Sequence, residues 1–142
     1  MSNKASILSI FACLIIGISI AAAGSMGSIS YHGIPSFAIA ASIGFLLHWI
    51  IFIPSFIYQT EHYFDLTGSI SYLSVVLFIF LALSEIDIRS IIIGIFIVVW
   101  AVRLGSFLFL RVKRKGKDNR FTVMKTRFWQ YLFTWTLGGL WV

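Results

Sequence analysis

Hydrophobic residues along this chain come in unbroken runs, not in stripes. Charged side chains are missing from Ala5 to Ala23, from Ile34 to Tyr58 and from Gly68 to Ser84, and the run from Ser90 to Leu110 holds one, Arg103. A soluble helix keeps one face polar and a half-buried strand alternates, so neither period fits. Apolar runs of about 18 residues or more mark membrane-spanning helices. The pattern predicts four complete spans, over 5–23, 34–58, 68–84 and 90–110. A fifth run, 128–142, has 15 residues. At about 1.5 Å per residue it reaches roughly 22 Å, short of a hydrocarbon core about 30 Å thick. The expected fold class is all-α: a polytopic transmembrane helix bundle, one membrane domain with four complete spans and a partial fifth. A chain end inside the bilayer is costly. The sequence is therefore expected to be the front part of a longer protein or a truncated product.

Local signals refine the elements. Span one follows Lys4 and ends near Gly24. Ala21-Ala22-Ala23 resembles a signal-peptide cleavage region, but a signal h-region is about 7–15 residues and this run is longer. An uncleaved helix is the reading. Pro35 suits the first turn of span two, where its missing N–H is harmless. Pro54 should kink or end that helix. Asp65 or Thr67 is placed to cap span three.

Composition agrees: 59% of the residues are hydrophobic and 11% charged, against about 25% charged in soluble domains. The net charge of +6 would suit a nucleic-acid binder, but eight of the eleven Lys and Arg residues fall between Arg111 and Arg127. A basic cluster between apolar spans is a topology signal first, and a binder of anionic lipid or phosphate second. No nucleic-acid partner is expected; the partner is the lipid bilayer. The positive-inside rule puts the 111–127 loop in the cytoplasm. Counting back, Gln59 to Thr67 and the N-terminus are also inside, and Ser25 to Gly33 and Glu85 to Asp87 are outside. A short chain without a transit peptide fits a prokaryotic inner membrane. Cys13 is a lone cysteine, so neither an internal disulfide nor a metal site is expected from it.

A few polar residues carry the chemistry. Arg103 lies eight residues before Arg111, about 12 Å deeper along a helix. A charge there costs about 2.5–3.5 kcal/mol on insertion scales, so a partner is expected. A structural ion pair and a substrate or cofactor anion are both open. The loop from Gln59 to Gly68 holds Glu61, His62 and Asp65 on the same side. If helical, Glu61 and Asp65 share a face, and boundary carboxylates are candidates for acid–base work. A solvated loop is the plainer alternative. One His between two acids lacks metal-ligand spacing. His48 in span two is read as a hydrogen-bonding residue between helices.

Four ordered segments carry a family resemblance. Thr60-Glu61-His62-Tyr63-Phe64-Asp65-Leu66-Thr67-Gly68-Ser69 comes first, then Trp100-Ala101-Val102-Arg103-Leu104-Gly105. Arg111 through Phe121 follows, and Phe128-Trp129 through Trp141-Val142 completes the series. Together, over roughly Tyr58 to Val142, they resemble a largely uncharacterised, mainly bacterial branch of the steroid 5-alpha-reductase-like membrane proteins. The resemblance implies an oxidoreductase that uses NADPH to reduce a carbon–carbon double bond conjugated to a carbonyl in a lipid-like substrate. It implies substrate-contacting positions at Glu61 and Trp100; Asp65 and Arg103 are candidate catalytic residues beside them, and Arg111, Arg114 and Lys117 are candidates to meet cofactor phosphates, with topology alone as the alternative. Glu61 looks like the acidic residue that contacts the substrate carbonyl. Trp100 stands where the reductases carry a Tyr, so an indole N–H replaces a phenol. Gly138 stands where the branch pattern has a Gln. Much of the family's cofactor site lies in C-terminal helices beyond this chain, so the chain by itself is expected to be inactive. The competing expectation is a non-enzymatic small membrane protein that assembles with itself or a partner, with Arg103 as a structural ion pair.

Overall fold

A computed structural model describes residues 2–83, 86–115 and 121–142. The helices are α1 (Asn3–Ser25), α2 (Ser36–Ile57), α3 (Phe64–Ala82), α4 (Ile88–Lys115) and α5 (Phe128–Trp141). The first four are long and apolar enough to cross a membrane. The expected bundle of four full spans and a shorter fifth helix is thus present. The ends move by a few residues: α3 begins four residues before Gly68, and α4 runs five past Leu110.

The α1–α2 connection departs from the expected plain loop. Strands β1 (Ser30–Tyr31) and β2 (Ile34–Pro35) pair antiparallel. His32 and Gly33 between them have φ of 50° and 82°, the left-handed pair that a two-residue hairpin turn requires. Pro35 therefore precedes α2 and does not occupy its first turn.

Pro54 neither ends α2 nor stands outside it; the helix continues to Ile57. What stops it is Gln59, whose φ is 52°. The Thr60 N–H reaches the Ser55 carbonyl at 3.0 Å and the Gln59 N–H the Phe56 carbonyl at 3.3 Å. These are the two bonds of a Schellman cap, with Gln where glycine is usual. The Gln59 side chain adds a bond to the Phe56 carbonyl at 2.6 Å. At the start of α3, Tyr63 is the cap residue and Asp65 lies in the first turn. The Thr67 hydroxyl bonds back to the Tyr63 carbonyl at 2.7 Å.

Two packing regimes follow. α5 lies against α2 and α1, and α3 lies between α2 and α4. At the α2–α5 crossing a Cβ on Gly44 would stand 2.9 Å from the Gly139 carbonyl oxygen, so only glycine allows the helices this close. Beside the crossing, Phe52, Phe121, Tyr131 and Trp135 form an aromatic core. The buried residues of α4 are Gly94, Ala101, Gly105 and Val112, a narrow seam spaced seven, four and seven apart. Among the described residues, α3 is the one helix that α4 packs against extensively.

Candidate functional site

The polar sequence segments meet at one end of the bundle. The Schellman turn after α2 sends Thr60 and Glu61 under α5. There the Tyr131 hydroxyl donates to the Thr60 carbonyl at 2.7 Å. Glu61 is 3% exposed and accepts a hydrogen bond from Lys125 Nζ at 2.7 Å. Asp65, one helical turn on, faces Arg111 of α4 with 3.9 Å between charged atoms. Within the loop, the Thr60 hydroxyl contacts His62 Nδ1 at 2.6 Å. The loop predicted to share a side with the basic segment is therefore tied to it by two carboxylate–cation pairs.

Next to these pairs, a cavity of about 430 Å³ opens among α2, α3, α4 and α5. Its α3 wall is Phe64, Asp65, Gly68, Ser69 and Tyr72, and its α4 wall is Trp100, Leu104 and Leu108. Spacings of four turn each set onto one helix face. His48 closes it from α2, and Leu137 and Gly138 from α5. The volume lies in the range of small-molecule sites, and a mostly apolar wall with a few polar groups is their usual make-up. Asp65 stands at the basic end, while the Tyr72 and Trp100 rings meet edge to face at 5.0 Å. The Tyr72 hydroxyl donates to the Trp141 carbonyl at 3.0 Å.

His48 is almost fully buried. Its Nδ1 lies 2.8 Å from the Gly44 carbonyl. A neutral ring donating there leaves Nε2 as an acceptor. A Cβ on Gly138 would stand 2.9 Å from that Nε2. The absence of a side chain at 138 therefore keeps the imidazole against the cavity. This is the consequence of the glycine that replaces the expected Gln.

Of the residues singled out from the sequence, Asp65 and Trp100 line the cavity together. Glu61 lies behind them in its pair with Lys125. Arg103 is exposed on α4. At 100° per residue it is about 160–200° around the helix from Ala101 and Gly105, on the side away from α3. Among the described residues it has no ion pair or hydrogen bond. Arg111 is committed to Asp65, and Arg114 is exposed near the end of α4. Lys117 lies outside the described residues. Of the three positions expected to meet cofactor phosphates, the described ones are thus Arg111, paired with Asp65, and Arg114, exposed. Among the described residues no group of three or more His, Cys, Asp and Glu could hold a metal ion.

Sequence reasoning missed Tyr72 and the cavity role of His48. A signal for Tyr72 existed: it follows Asp65 and Gly68 at seven and four residues, on one face of α3. Nothing local tied it to Trp100, which is a tertiary contact.

No curated protein and no solved structure matches this chain. A family profile described as a protein of unknown function matches residues 48–142, from His48 through every other residue of the site. By that match over two thirds of its length, the chain belongs to the DUF1295 family.

Proposed function

We propose that the chain forms the substrate pocket of a membrane-embedded reductase acting on a lipid-like enone. The observation that carries this reading is the cavity beside Asp65, Tyr72 and Trp100, with apolar walls and its polar groups at chosen points. The resemblance to the steroid 5-alpha-reductase-like proteins supplies the reaction class. NADPH, when bound, supplies the hydride. Arg111 and Arg114 are the residues that would hold its phosphates.

The chain's own groups do the rest. The apolar walls take the hydrocarbon skeleton and exclude water. The Trp100 indole N–H offers a donor to a substrate carbonyl oxygen, and the Tyr72 hydroxyl, which donates to the Trp141 carbonyl, would join it by exchanging that acceptor for the substrate's; a carbonyl so held draws electrons from the conjugated double bond. Tyr72 restores the phenol that position 100 lacks. Asp65, inside the cavity, is the better candidate than Glu61 for direct contact with substrate. Glu61, held as a carboxylate by Lys125, positions the loop.

The test is quenching of tryptophan fluorescence by the enone in the purified chain, read alongside enone-dependent oxidation of NADPH by a family member that also carries the C-terminal helices. In that longer family member, the changes equivalent to Asp65→Asn and Tyr72→Phe should each lower turnover by about a hundredfold to ten-thousandfold with assembly intact. A chain that does not bind the enone would overturn the reading.

A second reading has its own observation. Among the described residues the outer face of α4 is apolar, packs extensively against no other helix, and carries Arg103. It suits a membrane protein that assembles through α4 with a helix bearing a carboxylate. Disulfide trapping between Val99→Cys copies would reveal self-association on that face.

A further inference from the structure

The opposite side of α3 holds a second cavity, independent of the reading above. It measures about 300 Å³ and lies between α2 and α3. Tyr63, Leu66, Thr67 and Ile70 form its α3 wall, and Leu47, Ile51 and Ser55 its α2 wall. Almost all of this lining is apolar. Among its hydroxyl-bearing residues Ser55 stands apart: it is 1% exposed and its hydroxyl has no hydrogen-bond partner.

That hydroxyl departs from a pattern that four other hydroxyls of the bundle keep. Ser42, Thr67, Ser71 and Thr136 each donate to the carbonyl four residues earlier, at 2.7–2.9 Å. This is the ordinary way a helix hides a hydroxyl in an apolar medium. Ser55 follows Pro54 and makes no such bond. A buried hydroxyl left unpaired is destabilising, and the cavity beside it is walled almost wholly by apolar surface. A ligand oxygen in the cavity would supply the partner.

The depth of the cavity identifies the ligand. Ser55 lies two residues before the end of α2, beside the polar loop that begins at Gln59. Leu47 lies eight residues deeper, about 12 Å along the helix. A chain with its one oxygen function at the boundary and hydrocarbon running inward matches this profile. The geometry points to a binding site for the acyl chain of a bilayer glycerolipid, with the ester carbonyl accepting a hydrogen bond from Ser55. The cavity wall includes Thr60 and Tyr63, which flank Glu61. A bound chain would thus brace the loop that holds the carboxylate.

The test uses the full chain in vesicles of ester-linked phosphatidylcholine, with a trace of the same lipid bearing a diazirine on one acyl chain. After illumination and digestion, adducts should concentrate on Leu47, Ile51, Leu66 and Ile70, above the outward face of α1 at Leu8, Phe11 and Ile15. Ester-linked lipid should displace the label better than its ether-linked analogue by about threefold to tenfold, the worth of one hydrogen bond. Ser55→Ala should erase that preference, and Leu66→Trp should remove the adducts while the helical content stays unchanged. Even labelling of all outward faces would overturn the site. An ester preference that survives in Ser55→Ala would overturn the carbonyl contact. Displacement by free palmitic acid at much lower concentration than by the ester lipid would overturn the assignment to a glycerolipid.

Discussion

The α2–α5 block and helix α4 are both apolar sequence, yet they are held in different ways. In the block, two glycines bring backbones together, aromatic rings interlock, and the charges at its end are paired. α4 leans on α3 through a seam of small residues and leaves its large side chains outward, Arg103 among them. Apolar helices gain nothing from burial against one another in lipid, because lipid is as apolar as they are. What separates the regions is close packing and the pairing of polar groups.

The largest test of that contrast compares one aromatic from each region. Trp135 is 0% exposed, and its ring meets those of Phe52, Phe64 and Tyr131. Trp135→Ala removes contacts that nothing refills, with an expected cost of about 3–5 kcal/mol. Phe107 on α4 is 62% exposed, and Phe107→Ala should stay within about 0.5 kcal/mol. Unfolding in graded denaturing detergent measures both. Equal losses would mean that the outer face of α4 is packed in the assembled protein.

Arg103 comes next. Replacing a charge at this depth by Leu should ease membrane insertion by about 2.5–3.5 kcal/mol. A translocon insertion assay on the α4 segment reads that term alone. The full chain then sharpens the answer. If Arg103→Leu raises its thermal stability, the arginine is kept for function. If stability falls, a partner for the guanidinium is part of the assembled state.

The Lys125–Glu61 pair belongs to the opposite regime. Lys125→Met takes the 2.7 Å ammonium contact from a carboxylate that is 3% exposed. The expected loss is about 1.5–3 kcal/mol, the range for hydrogen bonds to charged groups. Adding Glu61→Gln should recover most of it, because the second change removes the buried charge itself. A double variant as unstable as the single one would show that the carboxylate is held by its other contacts.

The helices were legible because hydrocarbon imposes one pattern, long apolar runs, and four runs produced four spans. Which loops share an end also followed, since charge and helix parity constrain it, and the contacts of Glu61 and Asp65 join the two segments concerned. The face of Arg103 was within reach as well, because Gly94, Ala101, Gly105 and Val112 form a seam that leaves residue 103 opposite. Less was legible where structure rests on single backbone or tertiary events. Gln59 in a left-handed conformation ends α2 although Pro54 looked like the stop, because the helix absorbs a proline near its last turn more easily than it passes a positive φ. The hairpin at His32-Gly33 needs only four residues of strand, too few for any periodicity. The meeting of Tyr72 with Trp100 depends on how α3 and α4 pack, which no single segment encodes.

The smallest effect probes how α4 begins. Its first turn is held locally: the Ser90 N–H donates to Asp87 Oδ1 at 2.9 Å, and the Ile91 N–H to the Asp87 carbonyl at 3.2 Å. The Ser90 hydroxyl, and after it the Ser90 N–H, hold the Asp87 carboxyl below its ordinary value of 3.8. A carboxyl depressed on folding contributes stability above the unfolded pKa and loses it as pH falls through the lower, folded value. Asp87 is fully exposed, so water screens the interaction and the global transition should scarcely move. Local opening is the sensitive readout. Hydrogen exchange at Ser90 and Ile91 should show extra opening as pH drops below about 4, the ordinary aspartate range. In Asp87→Asn, whose amide oxygen still accepts the bond but does not titrate, that extra opening should be absent. The aromatic core does not rest on this cap, so Asp87→Asn should leave the protection of Tyr131 and Trp135 unchanged at every pH. If the amides of Tyr131 and Trp135 open together with those of Ser90 and Ile91, α4 and the block unfold as one unit, and the two regimes differ in packing alone and not in cooperativity.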